Sequence, residues 1–154
     1  MDRVEMDRQA EWLAAYVEKC MAQAWGDEAA GLTNVGDMVM YRWGSAACSV
    51  RVESTIPVMV RVMAKAVIGV RPTAKLLREI NEVNARSRVV NAWWYDGDVT
   101  VECSLFADAV SPESLREACF HVGQVADDIG VGLAALYDGS TPYPPFANDS
   151  EDAA

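Results

Sequence analysis

The chain has 154 residues, of which 51% are apolar and 23% charged, and its formal net charge is −10. That length suits one domain with one substantial core, and the acidic balance argues against nonspecific nucleic-acid binding, which rests on neutralising phosphates. No apolar run approaches the ~20 residues needed to cross a bilayer, and the acidic, helix-patterned start lacks the form of a signal peptide, so a cytoplasmic protein with no membrane partner is expected.

The charge is unevenly spread: residues 1–41 carry −5, residues 42–88 carry +6 and residues 89–154 carry −11. Pairing between oppositely charged segments accounts for this, while the basic middle leaves room for a local anionic contact.

Residues 3–25 read as an amphipathic helix, with Met6, Ala10, Leu13, Val17, Cys20, Met21 and Ala24 on one stripe. The breakers in "GDEAAGLTNVGD" predict a loop after it. Three strands follow. In "MVMYRWG", Val39, Tyr41 and Trp43 alternate with Met38, Met40 and Arg42; in "CSVRVES", Cys48, Val50 and Val52 alternate with Ser49, Arg51 and Glu53. Gly44 to Ala47 are the expected turn. From Ile56 to Ile68 the alternation is continuous, with Val58, Val60, Val62, Ala64, Ala66 and Ile68 on one side and Pro57, Met59, Arg61, Met63, Lys65 and Val67 on the other. Period two over that length predicts a strand with one buried side.

Pro72 and Thr73 open a second helix, whose apolar stripe is Leu76, Leu77, Ile80 and Val83 and whose end falls near Arg86. "RVVNAWWY" and "VTVECSLF" flank Asp96-Gly97, a two-residue hairpin signal. Ser111-Pro112-Glu113 is an N-cap, a proline at the first helical position and an early acid. The helix it opens carries Leu115, Ala118, Cys119, Val122, Val125 and Ile129, with Gly130 and Gly132 weakening its second half. The order is α-β-β-β-α-β-β-α. It predicts an α+β fold with one twisted, five-stranded antiparallel sheet and the first and last helices on one face. Residues 1–138 form the expected domain, and residues 139–154, proline-containing and then acidic, an expected disordered tail.

The residues assemble no reacting constellation. Cys20, Cys48, Cys103 and Cys119 are scattered without a C-x-x-C pair, which suits reduced, buried thiols rather than zinc or disulfides. His121 is the one histidine and lies on the polar side of the last helix. Asp127 and Asp128 diverge by ~100° around that helix and do not pair. No glycine-rich phosphate loop or calcium loop is present. The chain is expected to be no enzyme and to need no cofactor or metal.

Three segments carry a family resemblance: "LLREINEVNARSRVV", where a leucine-rich turn precedes an Asn-x-x-Asn pair and a strand; "DGDVTVECSL"; and "SPESLREACFHVGQVADDIG". Together with the element order, they resemble the type III secretion chaperone-like fold shared with bacterial YbjN-like proteins. The resemblance spans about residues 3–138 and is most specific from Leu76 to Gly130. It implies a peptide-binding chaperone or a regulator, often dimeric.

The hairpin's parity separates its two faces. Val90, Ala92, Trp94, Val99, Val101, Cys103 and Leu105 go to the core, leaving Trp93 and Tyr95 on the other face with Asn91, Thr100 and Glu102. The third strand adds Met59, Arg61, Met63 and Lys65 to that face, and the first adds Met38, Met40 and Arg42. Methionine with arginine and aromatic rings suits an adaptable contact surface. Met59, Arg61, Met63, Lys65, Ile80, Trp93 and Tyr95 are therefore the candidate partner-binding or homodimer residues. A protein or peptide client, a second subunit, and cover by the second helix through Ile80 and its neighbours all remain open. Asn84 is expected to bond backbone groups at the helix end, and Asn81 to tie the helix to the next strand.

Overall fold

A computed structural model describes residues 2–145 of the chain. The first helix, α1 (Arg3–Trp25), is capped by the Asp2 carboxylate on the Glu5 N–H. Its buried stripe is Ala10, Leu13, Val17, Cys20 and Met21, as the 3.6-residue period requires. A short 3-10 turn, Gly26–Gly31, leads into β1 (Thr33–Val35), β2 (Met38–Trp43), β3 (Ala46–Glu53) and β4 (Met59–Val67). Then come α2 (Ala74–Arg86), β5 (Asn91–Tyr95), β6 (Asp98–Phe106) and α3 (Pro112–Tyr137).

The strands form one antiparallel sheet in the order β1-β2-β3-β4-β6-β5. It has six strands rather than five. The added strand, β1, lies in the segment expected to be a loop, and all three of its residues are exposed. With no buried side it has no parity to read; the Gly36 turn (φ 61°) folds it back onto β2. The turn between β2 and β3 is Gly44-Ser45 alone, because Ala46 and Ala47 already pair with Trp43 and Arg42. A carboxylate of α3 holds that turn: Asp127 accepts from both the Ser45 N–H and the Ser45 hydroxyl at 2.8 Å.

Helices α1 and α3 cover one face. Val50, Val60, Val62, Val99 and Val101 meet Leu13, Met21, Leu115 and Val122 there, all fully buried. Gly130 lets α3 approach β4 closely, since a Cβ at that position would lie 2.5 Å from the Ala66 carbonyl oxygen. The helix nevertheless runs unbroken through Gly130 and Gly132 to Tyr137. The buried Tyr41 hydroxyl donates to the Cys119 carbonyl at 3.1 Å, tying β2 to α3.

The long alternation of β4 breaks at one point. The register with β6 shifts between Lys65 and Val67, so Val67 pairs with Val99 and both are fully buried. Val67 thus belongs to the core and Ile68, expected inside, is exposed; one extra residue in a strand reverses the faces beyond it.

The expected disordered tail does not begin at residue 139. Ser140 and Ile68 exchange backbone hydrogen bonds at 2.8 and 2.9 Å, and the Tyr143 N–H donates to the Ser45 carbonyl at 3.0 Å. Residues 146–154 of that segment lie outside the described residues.

Candidate functional site

Among the described residues, no helix covers the sheet face opposite α1 and α3, and its composition follows from the register. Three rows cross it. Met38, Arg51, Arg61 and Ser104 form one; Met40, Ser49, Met63, Glu102 and Asn91 the next; Arg42, Ala47, Lys65, Thr100 and Trp93 the third. The hairpin register puts Tyr95 opposite Asp98, Trp94 opposite Val99 and Ala92 opposite Val101, as the two-residue turn predicts. Asp96 (φ 49°) and Gly97 (φ 91°) both take the positive φ that such a turn needs.

Met59, Arg61, Met63, Lys65, Trp93 and Tyr95 therefore share this face. Ile80 does not. It is buried in the core with Leu76, because α2 packs along β5 on the helical side, where its Glu79 lies beside Tyr137 of α3. Helix α2 gives the open face no cover.

Asn84 fixes that placement. Its amide accepts from the Ala92 N–H at 2.7 Å and donates to the Ala92 carbonyl at 3.0 Å, as a neighbouring strand would. Asn84 thus serves the strand rather than its own helix end, while Asn81 is exposed and makes no such tie. Ser87 closes the next outward group by accepting from the Val90 N–H at 3.1 Å.

Charges on the open face form a ladder of four residues, Arg51 to Glu102, and one separate pair, Lys65 with Asp98. Arg51 contacts Glu53 at 2.8 Å, Arg61 contacts Glu53 at 3.4 Å and Glu102 at 2.6 Å, and Lys65 contacts Asp98 at 2.8 Å. The hydrogen bond from Arg51, aided by the Arg61 charge, holds the Glu53 carboxyl below its ordinary range; the Glu102 bond raises Arg61. Arg61 also lies 5.9 Å from the Trp93 ring centroid, and Trp93 meets Tyr95 edge-on at 6.4 Å. The buried Trp93 indole N–H has no hydrogen-bond acceptor. Met38, Met40, Ser49, Met63 and Lys65 line a shallow hollow of about 260 Å³ between the first strands.

Phe106, 59% exposed, extends this face beyond Ser104 and is absent from the sequence-derived set. The period-two count through "VECSLF" would have reached it. Glu53 and Glu102, the acidic rungs of the ladder, are also missing from that set; the register that aligns them with Arg61 comes from the strand pairing.

Other chemistry-bearing groups stay apart. The four cysteines are all buried and free, and burial pushes the Cys48 and Cys119 thiols up to about 12. His121 stands 3.6 Å from Glu117 on the outer side of α3. No helix among the described residues is long and apolar enough to cross a membrane.

Residues 11–145 match the family described as T3SS (YopN, CesT) and YbjN peptide-binding chaperone 1. The chain belongs to this family. Its fold is also that of a chain in the crystal structure of the ExsC–ExsE complex, with a TM-score of 0.59 and 13% identity over 77% of this chain and 93% of that one. No curated protein matches the sequence. The α+β architecture with one antiparallel sheet is thus that of a peptide-binding chaperone family, in agreement with the resemblance seen in the sequence.

Proposed function

We propose that this chain is a non-enzymatic, cytoplasmic protein-binding module, a dimeric peptide-binding chaperone-like or regulatory protein, whose client lies on the open sheet face around Trp93. The observation that carries this reading is the buried Trp93 indole N–H left without an acceptor on an uncovered face. A desolvated donor of that kind costs about 1–3 kcal/mol until it is paired, and the carbonyl of an extended segment supplies the acceptor. Met59 and Met63 give a deformable apolar floor, which suits clients of varied sequence. Arg61 and Lys65 are already matched by carboxylates, so a polyanion would have to displace Glu53, Glu102 and Asp98; a peptide need not. The family's description as peptide-binding and the likeness to a chain crystallised in a two-protein complex support the reading.

Panning random phage-displayed peptides on the pure protein, then calorimetry of the selected peptides, tests it. Trp93→Ala and Met63→Ala are expected to weaken binding about tenfold or more. Unchanged affinity in both variants would remove the client site from this face. Light scattering reports the dimer, and a monomer of intact stability sinks that part of the reading. A dimer that captures no peptide, and that Trp93→Ala dissociates, is a purely structural homodimer without a groove.

A further inference from the structure

Another hollow lies on the helical side of the sheet, where α1 ends beside β2 and α3. Trp25, Trp43 and Phe120 form its walls, Asp27, Glu28 and Arg116 its charged rim, and it encloses about 440 Å³. Trp25 is the last residue of α1; Gly26 (φ 57°) then turns the chain, and Asp27 and Glu28 follow at once. The aromatic walls are set from behind. Trp43 meets Phe120 edge-on with ring centroids 5.6 Å apart, and Trp25 meets the buried Tyr41 ring at 5.1 Å. Gly123 leaves room on α3 for Trp43, since a Cβ there would lie 2.5 Å from the indole Cγ. Phe120 itself is 45% exposed.

The charges here are unmatched. Among the described residues, the side chains of Asp27, Glu28 and Arg116 make no hydrogen bond or ion pair, in contrast to the paired ladder of the open sheet face. An adjoining hollow of about 400 Å³ shares Arg116 and Phe120 and adds Glu113, Glu117 and His121. Four carboxylates thus stand around one arginine, and of them only Glu117 has a partner, His121 at 3.6 Å. Arg116 follows Glu113 by three positions on α3, a spacing at which the two can pair, which leaves Asp27 and Glu28 for a guest. Aromatic walls attract the face of a planar cation, and carboxylates accept from its N–H groups. The side chain that answers both is a guanidinium.

We propose that this hollow takes an arginine side chain of a partner polypeptide, with the guanidinium against the aromatic wall and bonded by Asp27 and Glu28. Lysine fits less well, because a compact ammonium neither stacks nor presents a planar fork of donors. An anionic side chain meets the acidic rim and is repelled. Trp43 packs against the core on the side of β2 opposite Arg42, so the site lies across the sheet from Trp93 and does not rest on the client-face reading.

The test is an NMR titration of the isotope-labelled full chain with a heptapeptide that carries arginine between two leucines, and with its lysine, citrulline and glutamate counterparts. The arginine peptide is expected to move the Trp25 and Trp43 indole signals to saturation. Citrulline, which keeps the shape and loses the charge, should bind about fivefold more weakly or worse, lysine should fall between, and glutamate should not bind. Asp27→Asn/Glu28→Gln changes two exposed side chains and should weaken the arginine peptide about fivefold or more. Phe120→Ala should weaken it as well, and Trp93→Ala should not. Equal affinity for arginine and citrulline, tighter binding of the glutamate peptide, or hollow signals that stay put overturns the proposal. Hollow signals that move with protein concentration alone, before any peptide is added, assign the site to a second copy of the chain and overturn it too. Binding at the hollow that persists in Trp93→Ala, with no peptide selected on the open face, upholds the arginine site and fails the client-face reading. Movement of the Trp93 signal alone does the reverse.

Discussion

Asn84→Ala removes the one side chain that pairs both outward backbone groups of Ala92. Those groups belong to a residue only 3% exposed, so water does not readily replace the amide. An unpaired buried N–H or carbonyl costs about 1–3 kcal/mol, and two are left here. Alanine recovers about 0.5 kcal/mol through its better helix propensity. Partial water entry at the edge offsets more, which leaves a net loss of about 2 kcal/mol. Urea unfolding should show it as a lower midpoint at unchanged slope. Asn84→Asp sharpens the test. One carboxylate oxygen still accepts from the Ala92 N–H, but the other faces the Ala92 carbonyl, where the amide had donated at 3.0 Å. Protonating that carboxyl restores a donor. The Asp variant's folded pKa should therefore lie above its unfolded value of about 4, and its deficit should shrink as pH falls through the folded value. A loss below about 0.5 kcal/mol in Asn84→Ala, or a deficit in Asn84→Asp that does not change with pH, would refute the strand-mimic role.

The remaining predictions follow from other contacts. Gly130→Ala should destabilise by about 1–3 kcal/mol, because its Cβ would meet the Ala66 carbonyl at 2.5 Å. Gly132→Ala has nothing within 4 Å of the added Cβ and should stabilise by up to about 1 kcal/mol; thermal melts of the pair separate packing from propensity. Glu53, held below its ordinary range by Arg51 and Arg61, contributes stability that is present above its unfolded pKa near 4 and lost as pH falls through the folded value. The stability gap between the natural protein and Glu53→Gln should accordingly close on acidification, and a gap that stays constant from neutral to acidic pH contradicts the ladder. Cys48 and Cys119, buried and pushed up to about 12, should resist iodoacetamide in the native protein and label only as it unfolds, whereas rapid labelling followed by peptide mapping would contradict their burial.

Where the sequence was legible, a local signal and a burial requirement agreed. Asp96-Gly97 set the hairpin length and the valines of β6 set its inner side, so the register followed and Trp93 parted from Trp94. Ser111 and Pro112 marked the start of α3 for the same reason. The illegible parts lacked one of the two. Thr33, Asn34 and Val35 form an edge strand with no buried side, so only their pairing with β2 reveals them. The bulge beside Ala66 has no residue signature, and it carries Val67 inward and Ile68 outward. Ile80 looked available for the second face because a helix stripe gives no direction in space. Its direction comes from Asn84, which anchors α2 to the outer edge of β5. The return of residues 139–145 depends on Gly139, Ser140 and Tyr143 meeting β4 and the Gly44-Ser45 turn, contacts over more than forty positions of sequence.

The open face is a consequence of how the three helices are used. Helices α1 and α3 are both needed to bury the valines of β3, β4 and β6, and α2 is held at the β5 edge by Leu76, Ile80 and Asn84. Among the described residues no helix is left for the other side. Soluble proteins tolerate such a face when its charges are matched, and the ladder from Arg51 through Glu53 and Arg61 to Glu102 does this. The same ladder leaves Met63, Trp93, Tyr95 and Phe106 as apolar ground between charged rungs. The edges complete the geometry. With Ala92 of β5 and Val90 just before it already bonded to Asn84 and Ser87, a strand cannot add along that stretch of the edge without first breaking those bonds. An incoming chain would meet less resistance on the face than along that part of the edge, so the test at Trp93 and Met63 bears more directly on the proposed client site than any substitution in α2.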